Sequence, residues 1–225
     1  MGASLNCPQD PCAVELIGPP GVGKSTVAAA IADARPDIEV VGSLRPDRFR
    51  TAFTGAWRAG GSLTSLRRAA PRPKVARLLV RAETAATVVA ANRRRAPLVV
   101  FDQGPVYTLA RLDVAGVDWS GRVGRWRAGL LDGIADSLDA TVWLTCPAEV
   151  ALARIKERAK SHAAREQGLE LVGSYQRAYD WLRSELASRG LAEVEVDTDR
   201  RSIDEAVESV VSALSHGGPE PLEGR

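Results

Sequence analysis

Five short apolar runs punctuate the chain: AVELI (Ala13 to Ile17), IEVVG (Ile38 to Gly42), PLVVFD (Pro97 to Asp102), ATVWLT (Ala140 to Thr145) and VEVDT (Val194 to Thr198). Their length and their Val, Ile and Leu content are those of buried strands. Between them apolar residues return every three or four positions, which predicts helices over Ser25 to Ala34, Lys74 to Asn92, about Arg122 to Ser137, and Ser202 to Leu214. The first of these stops at Arg35, because a residue before proline is driven out of the helical region. Strands and helices alternating in this way build a mainly parallel sheet covered on both faces.

Residues 1–11 and 215–225 carry Pro, Gly and polar residues without periodicity and are expected to be flexible tails around one domain, residues 12–214. The stretch Gly55 to Pro73, with AGGS and PRP, is the least regular interior segment and is expected to be a surface excursion.

Hydrophobic residues make up 45% of the 225 and charged residues 26%, a balance that fits a soluble globular chain. The net charge is +2 and the basic residues are dispersed, so composition gives no support to a nucleic-acid partner. Only Lys24, Lys74, Lys156 and Lys160 are lysines, and the arginine-rich background makes any single arginine weak as a signal. No uninterrupted apolar segment of membrane-spanning length and no basic-then-apolar leader is present, so the chain is expected in the cytoplasm, away from membranes. Of the three cysteines, Cys146 follows a strand as a buried structural thiol would, and Cys7 and Cys12 lack the further Cys or His that a metal site needs.

The chemistry is concentrated in Gly18-Pro19-Pro20-Gly21-Val22-Gly23-Lys24-Ser25, which satisfies G-x-x-x-x-G-K-[ST] at every specified position, after a strand and before a helix. Glycines let successive backbone N–H groups converge on a phosphate, and the following helix N-terminus adds partial positive charge. A side chain at Gly21 or Gly23 is expected to obstruct that approach. Lys24 can reach the terminal phosphates, the Ser25 hydroxyl can ligate bridging magnesium, and Thr26 is placed either to touch the α-phosphate or to open the helix. A second carboxylate belongs at the end of a neighbouring strand, and Asp102 ends LVVFD. The pattern therefore predicts a P-loop NTPase three-layer sandwich that binds a nucleoside triphosphate with magnesium.

Phosphate loops serve switches, motors, transporters and kinases, so other residues must decide between them. The only asparagines are Asn6 and Asn92, which leaves no N-K-x-D guanine motif. There is no LSGGQ, and the chain is short for a ring ATPase. In VWLTCPAEVALARIKERAKSHAAREQG, Val142 to Gly168, a strand leads through Cys146-Pro147 to a helix with Arg154 and Arg158 on one face, and Lys160 and Arg165 follow.

This order resembles the nucleoside and nucleotide kinases, especially the thymidylate kinase-like group, over about residues 13–214. The segments VEVDTDRRSIDEAVESVV and SYQRAYDWL are similar to that family's closing unit and to the helix after its lid. The resemblance implies a lid around residues 156–168, Arg154 bordering adenine, Arg158 approaching the transferring phosphoryl group and Arg165 as a further lid contact. It departs at Asp102-Gln103: thymidylate kinases follow the strand-end Asp with Arg, and deoxynucleoside kinases follow a Glu with Arg. Arg45 in SLRPDRFR, Arg77, Arg81 and Gln103 itself are the remaining acceptor-site candidates.

Taken together, these residues lead us to expect a magnesium-dependent kinase that moves the γ-phosphoryl of ATP to a nucleoside, nucleotide or related hydroxyl-bearing metabolite. Lys24, Asp102 and Arg158 are its expected catalytic residues, and Ser25 and Asp102 its metal ligands. Gln103 tilts the expectation toward a hydroxyl acceptor, because a neutral amide both donates and accepts hydrogen bonds. A kinase of a specialised metabolite or antibiotic hydroxyl is the near alternative, and an ATPase or nucleotide-switched binding module the distant one. The sequence leaves the oligomeric state open, a homodimer included.

Overall fold

The computed structural model describes residues 12–42, 73–157 and 163–215. Five strands form one sheet in the order β2-β3-β1-β4-β5: β1 (Cys12–Ile17), β2 (Ile38–Val41), β3 (Leu98–Asp102), β4 (Ala140–Thr145) and β5 (Ala192–Asp197). Every pairing is parallel. The central strand β1 is buried at all six positions, as its continuous apolar sequence requires, although one of the six is Glu15. The edge strand β5 begins earlier than its apolar pattern indicates because it is covered on one side only. Its outward Glu193 and Glu195 are both held by Arg183, at 2.9 and 2.7 Å.

Helices cover both faces and divide the core in two. On one side α1 (Lys24–Ala34), α5 (Ala148–Glu157) and α7 (Ile203–Ser215) pack over Val14, Leu16, Val142, Leu144 and Val196. On the other side α2 (Pro73–Asn92), α3 (Pro105–Val114), α4 (Gly121–Ser137) and the later part of α6 (Ala163–Ser188) pack over Ala13, Ile17, Val99, Phe101 and Trp143. Gly168, at φ 63° and ψ −147°, interrupts α6 near its start.

The predicted strands and four predicted helices are present with ends displaced by a residue or two. Helix α3 is the element that the hydrophobic pattern does not announce. Gly104-Pro105 reads as a turn in sequence, but in the fold Gly104 is the cap and Pro105 the first helical residue, where its missing N–H costs nothing. The Gly55 to Pro73 stretch, apart from Pro73 itself, residues 1–11 and residues 216–225 lie outside the described residues.

The far end of α3 is pinned by a ladder of rings and charge. Arg127 of α4 lies 3.5 Å from the Trp181 ring centroid and 4.2 Å from that of Trp119, which stacks in turn on Trp126 at 6.4 Å. Its guanidinium donates to Asp113 of α3 at 2.8 Å, and the Trp119 indole N–H donates to the other oxygen of the same carboxylate at 2.6 Å. Arg127 is buried, so removing it strands a partly buried carboxylate and empties the space between two rings. Arg127→Ala is expected to lower stability by about 3 kcal/mol in denaturant unfolding. The double replacement Arg127→Met with Asp113→Asn recovers part of that loss, and equal losses in the single and double variants contradict the pairing.

Candidate active site

The phosphate loop leaves the carboxyl end of β1, between β3 on one side and β4 on the other. Its glycines answer three separate demands. Gly18 has φ 152° and passes so close to β4 that a Cβ would lie 2.4 Å from the Leu144 carbonyl. Gly21 has φ 86°, and a Cβ there would lie 2.3 Å from the Ala151 carbonyl of α5. Gly23 has φ 104° with nothing within 4 Å of an added Cβ, so it is the left-handed backbone that requires glycine at this position. Within the protein itself, Gly21 makes room for α5, and Gly23 sets the angle at which the chain enters α1.

Lys24 folds back across its own loop, its Nζ donating to the Gly18 carbonyl at 2.5 Å and the Pro19 carbonyl at 3.0 Å. Ser25 and Thr26 open α1 and are exposed. The parallel register sets Asp102 beside Leu16, two residues before the loop, and the Ser25 hydroxyl donates to Asp102 Oδ2 at 3.0 Å. The other oxygen, Oδ1, is buried without a hydrogen-bond partner. A hydroxyl and a carboxylate in contact at the head of the loop, with one carboxylate oxygen still unsatisfied, fit the protein's share of a magnesium shell. The rest of such a shell comes from phosphate and water.

The side of the loop toward β4 and β5 is stitched by Thr198, which follows β5. Its hydroxyl lies 2.8 Å from the Val22 carbonyl and 3.1 Å from that of Thr145, tying the loop to two strand ends. Arg154 of α5 donates to the Thr198 carbonyl at 2.8 Å and to its hydroxyl at 3.3 Å, so this arginine stands against the segment after the last strand.

On the opposite side α3 is positioned by Glu15, a fully buried carboxyl in the centre of the sheet. It accepts the N–H of Val106 at 3.1 Å and of Tyr107 at 3.0 Å, two first-turn donors that have no partner inside the helix. A Cβ at Gly104 would lie 2.5 Å from this carboxyl, so a larger residue there would have to displace the Glu15 side chain. Burial pushes the pKa of Glu15 up to about 8, against the downward pull of those backbone donors. Held in this way, α3 projects Tyr107 and Arg111 toward the loop: Lys24 Nζ and the Arg111 guanidinium each lie 5.8 Å from the Tyr107 ring centroid. Between β3 and α3, Gln103 has φ 70°, the one positive value at a non-glycine position among the described residues. Its amide oxygen lies 3.5 Å from Arg81 Nη2 of α2.

Of the residues expected from sequence, the fold thus gathers the loop, Asp102, Gln103, Arg81 and Arg154. Arg77 stands one turn before Arg81, exposed, and donates to the Pro73 carbonyl of its own helix. Arg45, Arg158 and Lys160 lie outside the described residues, and Arg165 is described by its backbone alone, within α6. Glu15, Tyr107, Arg111 and Thr198 complete the site without having been singled out in the sequence. Only Glu15 carried a plain signal, a charged residue in an otherwise apolar strand.

A family model described as an AAA domain matches residues 14–180. No curated protein matches the chain. Among solved structures, deoxyadenosine kinase from M. mycoides with bound dATP has a TM-score of 0.57 at 15% identity, over 89% of this chain and 98% of that one. The structure of that kinase with products dCMP and a flexible dCDP has a TM-score of 0.59 at 15% identity, and that with dCTP 0.54 at 16%; each covers 90% of this chain and 98% of the other. The all-parallel sheet and its two helical layers are thus those of the P-loop kinase fold.

The buried carboxyl makes stability depend on pH. Folded, Glu15 keeps its proton up to about pH 8, whereas its ordinary pKa is 4.5, so the folded chain binds more protons between those values. The stability it contributes is complete below the lower value and is lost as pH rises through the upper one. Against Glu15→Gln, the wild type is expected to lose stability across this window while the variant does not, in denaturant titrations at stepped pH. Parallel profiles contradict the assignment.

Proposed function

We propose that this chain, which belongs to the AAA domain family, is an ATP-dependent phosphotransferase acting on a small molecule. The observation that carries this conclusion is the contact between Ser25 and Asp102 at the head of the phosphate loop, with Asp102 Oδ1 left unsatisfied. That pairing gives a triphosphate with magnesium both its backbone cradle and its metal partners on one strand edge. Likeness to deoxyadenosine kinase over most of the chain supports a kinase, with a nucleoside, nucleotide or related hydroxyl-bearing metabolite as acceptor.

Bound magnesium supplies charge neutralisation on the donor phosphates. The chain's own residues supply the rest. Lys24 exchanges its loop carbonyls for terminal phosphate oxygens, and the loop N–H groups hold the chain of phosphates in line. Arg154 and the segment after β5 border the base. As the acceptor oxygen bonds to the γ-phosphorus, the bond to the bridging oxygen breaks and ADP departs with that electron pair. A hydroxyl acceptor also gives up a proton, for which Asp102 is the carboxylate at hand. Tyr107 and the rest of α3 form the acceptor-side wall.

The alternative is an ATPase or nucleotide-switched binding module without a small-molecule acceptor. No described helix is long and apolar enough to cross a membrane, and we read the chain as cytoplasmic.

Lys24→Ala is expected to reduce ADP formation in a coupled assay across nucleosides, nucleotides, sugars and aminocyclitols by at least about a hundredfold, with an unchanged circular-dichroism spectrum. Undiminished turnover in the folded variant contradicts the proposal. ATP turnover that no acceptor stimulates favours the ATPase reading.

A further inference from the structure

Helices α3, α4 and α6 meet at the far end of α3 around a cavity of about 370 Å³. None of the phosphate-loop residues, nor Asp102, Gln103 or Tyr107, lines it. From α3 it takes Asp113 and Val114, and Asp113 stands about 9 Å along the helix axis from Tyr107. From α6 it takes Ser174, Ala178 and Trp181, spaced i, i+4, i+7 on one face, with Arg177 beside them. Tyr175 and Tyr179 of the same helix belong to another face, packed on each other at 6.2 Å between centroids, with Tyr179 edge-on to Trp143 at 6.1 Å.

The charged side chains that line the cavity are Asp113, Arg127 and Arg177, and the first two are committed to each other. Asp113 accepts from Arg127 at 2.8 Å with one oxygen and from the Trp119 indole at 2.6 Å with the other. Arg127 is buried between the Trp119 and Trp181 rings, its Nε without a hydrogen-bond partner. Arg177 is different. It is exposed, and among the described residues its one hydrogen bond runs from Nη2 to the Ser174 hydroxyl at 3.1 Å, with no ion pair. Ser174 gives its own proton to the Glu170 carbonyl at 2.9 Å, so its oxygen is fixed as the acceptor that holds this guanidinium against the cavity. Trp181 remains 40% exposed although Arg127 lies against its ring, which leaves apolar indole surface beside an unpaired cation.

We infer that this cavity is a binding site for a small aromatic carboxylate, separate from the site of phosphoryl transfer and independent of the phosphotransferase reading. Its size falls within the roughly 300–1,000 Å³ of small-molecule pockets. A carboxylate matches the planar donor fork of Arg177, and a flat ring covers the exposed indole of Trp181 and the apolar side chains of Val114 and Ala178. The charge selects a single negative group. Two guanidiniums and one carboxylate leave the lining with one net positive charge, and the second charge of a phosphate dianion would face Asp113. The occupant also bears on the Asp113 and Arg127 pair that clamps the end of α3, so its binding stabilises the fold.

Calorimetric titration of the full chain with naphthoate tests the assignment, with naphthamide as the neutral counterpart and acetate as the charge without the ring. Naphthoate is expected to bind at least about tenfold more tightly than either and to raise the melting temperature. Arg177→Gln changes an exposed residue and is expected to weaken naphthoate about tenfold while leaving naphthamide unaffected. Trp181→Leu is expected to weaken both; if that variant does not fold, Arg177→Gln decides alone. Saturating magnesium with a non-hydrolysable ATP analogue, and separately Lys24→Ala, are expected to leave naphthoate affinity unchanged. No binding of naphthoate by the wild type, equal affinity for naphthamide, or undiminished naphthoate affinity in Arg177→Gln overturns the assignment. Displacement of naphthoate by the analogue overturns it as well, because the probe then occupies the phosphate-loop site.

Discussion

Because all five strands run the same way, their carboxyl ends open along a single edge, and any chemistry this chain performs is assembled there from the segments that follow them. The central strand gives the phosphate loop, its neighbour gives Asp102 and Gln103, and the strand at the far edge leads into Thr198. Each meets the others because register, set in the buried interior, fixes where each strand ends. The Leu16 to Asp102 pairing is the decisive one, since it brings the strand-end carboxylate to the hydroxyl that heads α1.

Helix α3 extends the same constraint to the other side of the loop. At its start the buried Glu15 carboxyl holds the Val106 and Tyr107 N–H groups, and near its end Asp113 is gripped by Arg127 and Trp119. A helix fixed at both ends can present Tyr107 and Arg111 at a defined distance from Lys24. The cost is a carboxyl in the middle of the sheet. Its position beside a helix N-terminus is what makes that burial tolerable, because the helix brings two donors that need an acceptor.

How much of this was legible depends on whether a feature is contiguous in the chain. The phosphate loop was, since all its parts lie within one turn and its glycines are demanded by local angles and close backbone contacts. Asp102 was legible because it ends an apolar strand in a chain that also carries a complete phosphate-loop motif. The surroundings of α3 were not, for two reasons. Gly104-Pro105 has the composition of a turn and conceals the start of α3, so Tyr107 and Arg111 were not placed on a helix at all. In a sequence so rich in arginine, nothing local separates Arg81, which reaches Gln103, from Arg77, which faces solvent one turn away. That difference is created by packing. Glu15 was in view throughout, inside AVELI, and its charge was passed over because the run as a whole read as a strand.

The central claim is that the Ser25 and Asp102 pair is the protein's half of a magnesium site for a bound triphosphate. Calorimetric titration of a non-hydrolysable ATP analogue, with magnesium and with chelator, into the wild type and Asp102→Asn tests it directly. The account predicts that chelation weakens binding to the wild type by about tenfold or more, and that the variant loses most of this dependence while still binding the analogue through its loop. Equal affinity with and without magnesium in the wild type, or an undiminished magnesium effect in Asp102→Asn, contradicts it.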